Sequence, residues 1–342
     1  MEDIYKINKT YVRDRRNNRI VMRKILTLNY YFGNKKTMYD ILSNDPRAFR
    51  FLPLTATFNT IESDWRNVIR HAMNYSPKLK TWILKPAEGL QGRDILISSD
   101  PDEAISYVAK HSKYEDWVLS QYIDNPFLLK LHGRPPSGVK YDDTIGRKTH
   151  IRIYVLVTKI NGVVHVYLYD HSLIFCAVAE YDYDDLKNEY SNLTNLSLGS
   201  TYYNKVLKKD GKEAYKELSH PLKETVAELF GKHFYKRVVF PQIKNMLEVI
   251  FENATTDFGE YLQCDNKCPS SCSSKGCYQY IAIDIMPVDD FKLYLLEING
   301  GPGLNAPKYH WGGTEHFINS ILSKVNSLMY NLEEDDEFIK IL

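Results

Sequence analysis

Short apolar runs separated by polar turns recur along the chain, a pattern typical of β-strands. Residues 81–85 and 94–98 are predicted to form a β-hairpin with a flexible tip, because the segment between them carries Gly89 and Gly92. Residues 117–123 form the next predicted strand, which ends before an Asn-Pro dipeptide.

The same kind of pattern predicts a helix and a second hairpin. Residues 101–110 have apolar positions at helical spacing, and Asp100 is placed to act as the N-cap. The apolar runs 151–158 and 163–169 flank an Asn-Gly dipeptide, which favours a type I′ turn. We therefore expect a tight antiparallel hairpin in this region.

Helical spacing returns in the second half of the chain. It covers residues 203–250, where Pro221 and Pro241 are expected to interrupt the helices. Two apolar strands follow, 278–286 and 292–298, joined by a short turn.

Length and composition predict a globular protein with more than one lobe. The chain has 342 residues, of which 44% are hydrophobic and 25% are charged, so a collagenous, disordered or membrane-embedded protein is excluded. Its formal net charge of +1 is too balanced for a protein that coats nucleic acid with its whole surface. The first residues lack the apolar core of a signal peptide, so we expect a cytoplasmic protein that contacts neither membrane nor nucleic acid.

Charge is concentrated at the two ends of the chain. Residues 1–36 carry ten lysines and arginines, and residues 333–337 are all acidic. One interpretation is a pair of solvated termini. The other is a basic surface for an acidic partner, together with an acidic tail.

Oxygen donors interrupt the two apolar strands near the C-terminus. Asp284 lies within the first strand, whereas Glu297 and Asn299 lie two apart on the second and share one face. A tight turn brings Asp284 opposite or diagonal to Glu297. This set of hard oxygen donors predicts a Mg²⁺ site. The alternative is that these side chains satisfy neighbouring backbone groups or pair with arginines.

Candidate anion contacts lie on two other segments. Lys85 ends a buried strand directly before the glycine-containing segment, whose backbone can approach phosphates closely, although a surface hairpin with an exposed lysine would look the same. Lys148, His150 and Arg152 lie on one face of the strand that contains them. The segment 192–195 supplies further polar donors and acceptors, although a turn or a helix cap would explain its residues equally well.

Six segments, in this order, resemble the motifs of the tubulin tyrosine ligase-like family of the ATP-grasp superfamily. They are Trp82–Arg93, Gln121–Leu129, Gly146–Val157, Asn192–Asn195, Ala282–Met286 and Leu296–Gly303. Their order and spacing follow the family from about residue 28 to about residue 325, and Lys35 or Lys36 falls near its first nucleotide-contacting lysine.

The resemblance implies an α+β fold of the ATP-grasp type, with a nucleotide clamped between two α+β lobes that contain antiparallel sheets. It divides the chain into a short basic N-terminal segment at 1–45, a central lobe at 46–145 and a C-terminal lobe at 146–342. The first segment is a reduced N-terminal domain. The central lobe holds the glycine loop and the hinge, and the last lobe holds the Mg²⁺-binding hairpin and the acidic tail.

The same resemblance implies a ligase that uses ATP and Mg²⁺, and it assigns roles to individual residues. Asp284, Glu297 and Asn299 match the metal ligands, with Glu297 bridging two ions, and Arg152, Lys148 and Glu297 match catalytic groups. The predicted nucleotide contacts are Lys85, Gln91, Gly92, Ser120, Gln121, Tyr122, Ile123, Lys148, His150, Arg152, Thr194 and Asn195.

Three residues depart from the family pattern. His150 stands where the family has an aspartate that binds the ribose, although a neutral histidine still makes one such hydrogen bond. Phe175 replaces an arginine that holds the incoming amino acid, and Leu196 replaces a tyrosine beside the same pocket. We therefore expect the nucleotide and metal sites to be retained and the amino-acid pocket to be changed.

The expected activity joins an amino acid to a protein side chain or terminus through an acylphosphate. The expected partners are a free amino acid and a protein acceptor, such as an acidic tubulin tail, and the expected state is a monomer. Two alternatives stay open. One is an ATP-grasp ligase for another protein or a small molecule, and the other is a nucleotide-binding pseudoenzyme or a tubulin-binding module.

Four of the five cysteines fall in one short polar segment, as Cys264, Cys268, Cys272 and Cys277. They lack the paired two-residue spacings that are common in structural zinc sites. A Zn²⁺ site is therefore the less favoured hypothesis, and the favoured one is that these cysteines are reduced thiols in an exposed loop.

Overall fold

The computed structural model describes most of the chain, with gaps. The described residues are 5–7, 11–14, 19–24, 32–62, 64–75, 78–89, 92–130, 146–160, 163–256, 276–302, 310, 316, 319–321, 323–324, 327–328 and 337–342.

The large sheet has eleven strands within these ranges. They are β1 (Tyr5–Ile7), β2 (Tyr11–Asp14), β3 (Arg19–Lys24), β8 (Leu128–Leu129), β9 (Arg147–Ile160), β10 (Val163–Tyr169), β11 (Leu173–Cys176), β12 (Ser219–Pro221), β13 (Gly276–Pro287), β14 (Leu293–Asn299) and β15 (Phe338–Lys340). The main order is β1-β2-β3-β13-β9-β10-β15, and β3 with β13 is the one parallel pair. Outside this order, β14 pairs with β13, β11 and β8 pair with β9, and β12 pairs with β11.

The small sheet is antiparallel and has the order β4-β7-β5-β6. Its strands are β4 (Thr55–Asn59), β5 (Trp82–Pro86), β6 (Leu96–Ser98) and β7 (Asp116–Gln121).

The helices are interspersed among the strands. The α-helices are α1 (Lys35–Leu42), α2 (Trp65–Met73), α3 (Pro101–Lys110), α4 (Glu189–Asn192), α5 (Leu196–Tyr202), α6 (Glu213–Glu217), α7 (Leu222–Phe230) and α8 (Phe240–Thr256). A 3₁₀-helix spans Pro46–Arg50, and π-helices span Tyr203–Leu207 and Tyr235–Val239. Helices and largely antiparallel sheets together confirm the predicted α+β class. The domain boundaries at residues 45 and 145 stay a prediction.

Both predicted hairpins are present. In the first, β5 pairs with β6 from Trp82 opposite Ser98, and β6 begins later than predicted because Asp94 has a left-handed backbone, with φ of 57°. In the second, β9 and β10 pair from Ile160 opposite Val163, so two residues join them as predicted. Asp100 caps α3 by accepting a hydrogen bond from the Asp102 N–H at 2.8 Å.

The interruption predicted at Pro241 was wrong. Pro221 does separate helices, since it ends β12, but Pro241 lies in the first turn of α8, which continues without a break from a π-helix. A proline ring clashes with the carbonyl four residues earlier, here that of Arg237. Because Arg237 lies within the π-helix, the wider turn accommodates the ring.

Two apolar cores stabilise the fold, one against each sheet. The main core packs the central strands β9 and β13 against α1 and α8, and Ile283, Val155 and Ile243 are fully or almost fully buried there. A second core fills the space between the small sheet and helices α2 and α3, around Trp82 and Trp117. None of the helices in the described part of the chain is both long and apolar enough to cross a membrane.

We expect Ile283→Ala to lower the free energy of unfolding by about 2–5 kcal/mol, because it leaves a cavity at the centre of the main core. Chemical denaturation measures this change. The matched variant Ile61→Ala, at a side chain that is 74% exposed, is expected to stay within about 0.5 kcal/mol of the unmodified chain. Equal effects of the two variants would contradict the assignment of Ile283 to the core.

Candidate active site

A deep cavity lies between the small sheet and the β13–β14 hairpin. It is lined by one lysine each from α1, β5 and β9, by carboxylates from the hairpin and by a polar segment before α5. Of the predicted site residues, those lining it are Lys85, Gly92, Ser120, Gln121, Tyr122, Ile123, Lys148, His150, Thr194, Asn195, Asp284, Glu297 and Asn299. Arg152 lies directly behind Asp284, and Gln91 lies outside the described residues.

The oxygen donors meet because of the register between β13 and β14. Asp284 pairs directly with Glu297, and the register shifts immediately after Asp284. Asn299 follows two residues later on the same face. Its Nδ2 lies 3.1 Å from Asp284 Oδ2 and 3.3 Å from Glu297 Oε1. The clustering predicted from the sequence is therefore present.

Arg152 holds Asp284 through two hydrogen bonds. Strand β9 places Arg152 directly opposite Asp284, and the guanidinium donates from Nε at 2.7 Å and from Nη2 at 2.6 Å. Asp284 is almost fully buried, so this fork offsets the cost of removing the carboxylate from water. The pairing with an arginine, which the sequence left open as an alternative, does occur here.

Glu297 is balanced by cations from other elements. Lys35, at the start of α1, places its Nζ 3.2 Å from Glu297 Oε2 and donates to the Gly89 carbonyl at 2.8 Å. Burial raises the pKa of Glu297, but the charges of Lys35, Lys85 and Arg152 outweigh it and hold that pKa well below its usual range. The carboxylate is therefore ionised at neutral pH.

Two lysines at the cavity, the half-buried Lys85 and the buried Lys148, have no salt bridge to any described residue. Burial lowers the pKa of Lys85 to about 8, with Glu297 opposing and Lys35 adding to the shift. Burial lowers the pKa of Lys148 to about 7, and the charge of Lys85 adds to this effect. The Nζ of Lys148 lies 4.0 Å from the ring centre of Tyr122, which stabilises its charge only in part. Both lysines therefore favour an anion in the cavity.

His150 is a neutral polar group at the cavity wall. Its Nδ1 lies 2.6 Å from Thr194 Oγ1, and burial lowers its pKa to about 4. Its Nε2 is buried, lies 3.7 Å from Asp284 Oδ1 and has no hydrogen-bond partner among the described residues. A bound molecule that pairs with this nitrogen would remove the cost of leaving it unsatisfied.

The predicted hinge, Ser120–Ile123, consists of the last two residues of β7 and the two residues that follow it. The N–H of Gln121 donates to the Leu54 carbonyl at 2.7 Å, and the N–H of Tyr122 donates to the Thr81 carbonyl at 3.0 Å. The Tyr122 hydroxyl donates to Asn192 Oδ1 at 2.7 Å, which ties this segment to the large-sheet side.

The glycine loop, which is the segment between β5 and β6 that contains Gly89 and Gly92, contacts the polar segment before α5 at Gly92. This residue has φ of 76°, and a Cβ added to it would lie 2.9 Å from Asn195 Oδ1. Only glycine fits both the backbone conformation and this close approach. Gly92 therefore brings the loop against the segment that contains Thr194 and Asn195.

Phe175 occupies a buried position beside the charged groups. It is 1% exposed, its ring lies edge-on to that of His150 at 4.9 Å between centres, and the Arg152 guanidinium lies 5.3 Å from its ring centre. Leu196 begins α5 and is partly buried against the neighbouring apolar clusters. Phe175 thus packs against two residues of the predicted nucleotide site.

Sequence reasoning missed several lining residues, namely Tyr39, Pro53, Ile83, Pro86, Arg93, Ile95, Met286 and Leu296, whereas Gly89, Asn192 and Leu193 lie in segments that it had singled out. Most of them are apolar or backbone contacts, which carry no chemical signal of their own. Of the lysine pair at residues 35 and 36, Lys35 lines the cavity, whereas Lys36 pairs with Asp40 at 3.0 Å. The spacing could not separate the two.

The cysteine segment lies largely outside the described residues, as do Cys264, Cys268 and Cys272. Cys277 is described, is fully buried in β13 and is disulfide-bonded. A four-cysteine zinc site would require Cys277 as a reduced thiolate, so the disulfide argues against this site, and the burial of Cys277 argues against the alternative of four reduced thiols in an exposed loop. Within the described ranges, no group of three or more His, Cys, Asp or Glu side chains could hold a metal ion.

The charged termini are described only in part. Of the acidic run, Glu337 is described, and its Oε1 lies 2.9 Å from His316 Nε2. The rest of that run lies outside the described residues, and the basic N-terminal region is described as strand backbone at β1–β3.

An α+β fold whose lobes place lysines and carboxylates around one cavity is the arrangement of the ATP-grasp class. Residues 14–329 match the model of the tubulin-tyrosine ligase family. The chain therefore belongs to the tubulin-tyrosine ligase family, whose fold is ATP-grasp.

Its relatives are tubulin-modifying ligases. The chain is 28% identical over 272 residues to the human probable tubulin polyglutamylase TTLL2, covering 75% of this chain and 37% of that protein. It is 25% identical over 245 residues to tubulin glycylase 3F of Tetrahymena thermophila, covering 71% and 24%. It is also 25% identical over 282 residues to human tubulin polyglutamylase TTLL6, covering 79% and 27%. The chain thus matches about a quarter to somewhat over a third of each relative's length.

We expect Lys148→Met to stabilise the fold most strongly below about pH 7. The unmodified lysine has a pKa of about 7 when folded, against 10.5 as its ordinary value, so between these values the unfolded chain binds more protons. The stability of the unmodified chain therefore rises with pH across this window, and the advantage of the methionine variant shrinks.

Urea unfolding at about pH 6 and about pH 9 measures the difference between these two chains. Lys110→Met, at an exposed lysine at the end of α3, serves as the control and is expected to give the same difference at both pH values. An advantage of Lys148→Met that does not change with pH would contradict burial of a charged lysine at this position.

Proposed function

We propose that this chain is an ATP- and Mg²⁺-dependent ligase that joins an amino acid to a protein through an acylphosphate, with release of ADP and phosphate. The observation that carries the proposal is the placement of Lys85 and Lys148 on the same cavity as Asp284 and Glu297. Lysines that are partly or fully buried, with no salt bridge to a described carboxylate, favour a polyanion, and neighbouring carboxylates favour a divalent cation that accompanies it.

The donor set suits Mg²⁺. Asp284 and Glu297 supply carboxylate oxygens, and Mg²⁺ characteristically combines a few such hard protein ligands with waters and phosphate oxygens. Asn299 donates from Nδ2 to both carboxylates in this structure, so its amide would have to turn over for its oxygen to bind the ion. When bound, the ion would neutralise charge on the phosphates. Because Arg152 occupies both oxygens of Asp284 in this structure, Arg152 and the ion would share this carboxylate.

The protein side chains would bind and orient the nucleotide. Lys85 and Lys148 would contact the phosphates and the nucleoside, and backbone groups of Ser120–Ile123 would contact the base. His150 Nε2, which has no partner among the described residues, would bond to the ribose in place of the family's aspartate. Arg152 lies where it would stabilise the phosphoryl group during transfer.

The reaction then needs no nucleophile from the protein. The carboxylate of one substrate attacks the γ-phosphorus of ATP, and the bond to the bridging oxygen breaks, which releases ADP. The amine of the second substrate attacks the acyl carbon, and phosphate leaves while the amine gives up a proton. The contribution of the protein is positioning and charge stabilisation.

The acceptor we propose is a protein with an acidic segment, such as a tubulin tail. The relatives' names support tubulin as a substrate class, and both glutamate and glycine occur among the donors in those names. The buried Phe175 supports a donor different from that of a relative with an arginine there, because an aromatic ring cannot pair with a carboxylate. We further propose that the protein acts in the cytoplasm as a monomer.

A second candidate function is ATP binding without turnover. It is favoured by the Arg152–Asp284 pair, which occupies the carboxylate that a metal ion would need. It differs from the ligase in one measurable property, since it predicts ATP binding without release of ADP.

We expect Glu297→Gln to lower ATP turnover at least about 100-fold, because removal of a direct metal ligand costs no less than removal of an outer-shell partner. The assay incubates the chain with ATP, Mg²⁺, mixed amino acids and tubulin, and it measures ADP release together with protein mass. Glu62→Gln, at an exposed acidic residue, is the control and is expected to retain full turnover.

The mass increase on tubulin, or on the chain itself, identifies the amino acid and the acceptor. Omitting tubulin separates protein acceptors from small-molecule acceptors. Tight ATP binding with no ADP release under any substrate mixture would contradict the ligase proposal and support the second candidate.

A further inference from the structure

Asp94 has an unusual backbone conformation at one end of the glycine loop. It lies two residues after Gly92, next to the cavity-lining Arg93, and its φ is 57°. Among residues other than glycine, aspartate and asparagine tolerate this left-handed region best, but the conformation still costs free energy. Some contact must therefore hold Asp94 in place.

Three side chains after α3 contact the Asp94 carboxylate. The Tyr114 hydroxyl donates to Oδ2 at 2.7 Å, and the Lys113 Nζ lies 2.8 Å from the same oxygen. His111 Nε2 lies 3.6 Å from Oδ1. Hydrogen bonds from Lys113 and Tyr114 accordingly lower the pKa of Asp94. The carboxylate thus accepts contacts from a single turn of the chain.

This turn is itself attached to the small-sheet core. The indole Nε1 of Trp117 donates to the Tyr114 carbonyl at 3.2 Å, and the two rings lie edge to face at 5.7 Å between centres. Trp117 is 0% exposed. A continuous series of contacts therefore runs from a buried tryptophan through Tyr114 to Asp94.

The other end of the glycine loop is held independently. The N–H of Ala87 donates to the Asp116 carbonyl at 2.9 Å, and Lys35 donates to the Gly89 carbonyl at 2.8 Å. The described residues on both sides of the loop are thus held by hydrogen bonds, and Asp94 is the side chain that holds the side next to Gly92.

We propose that Asp94 is a positioning residue, which holds the cavity-lining Gly92 and Arg93 in place for binding of the phosphates of ATP. This inference rests on the proposed function. Its physical reason is preorganisation: a loop already held in its bound conformation loses less conformational entropy when the nucleotide binds. The contribution should therefore appear in binding of the phosphates and not of the nucleoside.

Two variants of the full-length chain test the proposal. Asp94→Gly keeps the left-handed backbone available while removing every carboxylate contact, and Tyr114→Phe removes only one hydroxyl. Calorimetric titration with ATP and Mg²⁺ is expected to give a Kd raised about tenfold for Asp94→Gly, the cost of one charge-assisted contact, and by a smaller factor for Tyr114→Phe. The Kd for adenosine, which lacks phosphates, is expected to stay unchanged.

A second measurement needs no nucleotide. Trypsin cleaves after arginine, and Arg93 lies in this loop, so the cleavage rate at Arg93 reports how often the loop opens. Tyr114→Phe leaves the sequence around the cleavage site unaltered and is expected to be cleaved faster there than the unmodified chain.

Asp102→Asn is the matched control, because Asp102 forms an exposed ion pair with Arg70 at 3.0 Å, at the other end of α3. Its ATP affinity and cleavage rate are expected to equal those of the unmodified chain. Equal ATP affinity of Asp94→Gly and the unmodified chain would overturn the positioning role alone, and so would a parallel loss of adenosine binding. Failure of the unmodified chain to bind ATP would overturn the proposed function and this inference with it.

Discussion

The cavity depends on one electrostatic arrangement, two carboxylates that are held side by side on neighbouring strands. Asp284 and Glu297 face each other across β13 and β14, where two negative charges would repel at short range. The repulsion is offset from two directions, by Arg152 from β9 and by Lys35 from α1. Because these cations come from distant parts of the chain, the stability of the carboxylate pair depends on the packing of both the large sheet and the first helix.

The same arrangement leaves positive charge beyond what the carboxylates need. Arg152 and Lys35 already satisfy the pair, so Lys85 and Lys148 add charge to a buried surface without a salt bridge in the described part of the chain. Burial lowers the pKa of both lysines, and repulsion by a neighbouring lysine adds to each shift, so their charged forms carry a cost in free energy. Natural folds rarely keep such a cost unless a ligand removes it, and triphosphate together with a divalent cation has the required charge.

Local features of the sequence predicted local structure well. The Asn-Gly dipeptide, the Asp100 cap and the apolar runs set the conformation of residues close to them in sequence. The alternation of side chains along β14 likewise placed Glu297 and Asn299 on one face. Contacts between residues far apart in the sequence were not predictable in this way. The Arg152–Asp284 fork joins positions that are 132 residues apart, and it depends on the register of β9 with β13, which no short pattern encodes. Pro241 was misjudged for a related reason, since a π-helix that accommodates a proline is not visible in hydrophobic spacing.

Phe175 lies in the core of the large sheet directly beside residues of the site. Its ring is buried and packs against His150 and Arg152, so it acts on the cavity through these two residues. An arginine at this position would place a second guanidinium beside Arg152 in a buried environment, at a high cost unless an anion paired with it. The aromatic ring instead stabilises Arg152 directly, and Arg152 in turn holds Asp284. The residue at position 175 is therefore coupled through packing to the carboxylate pair, and a substitution there also changes the support of the proposed metal site.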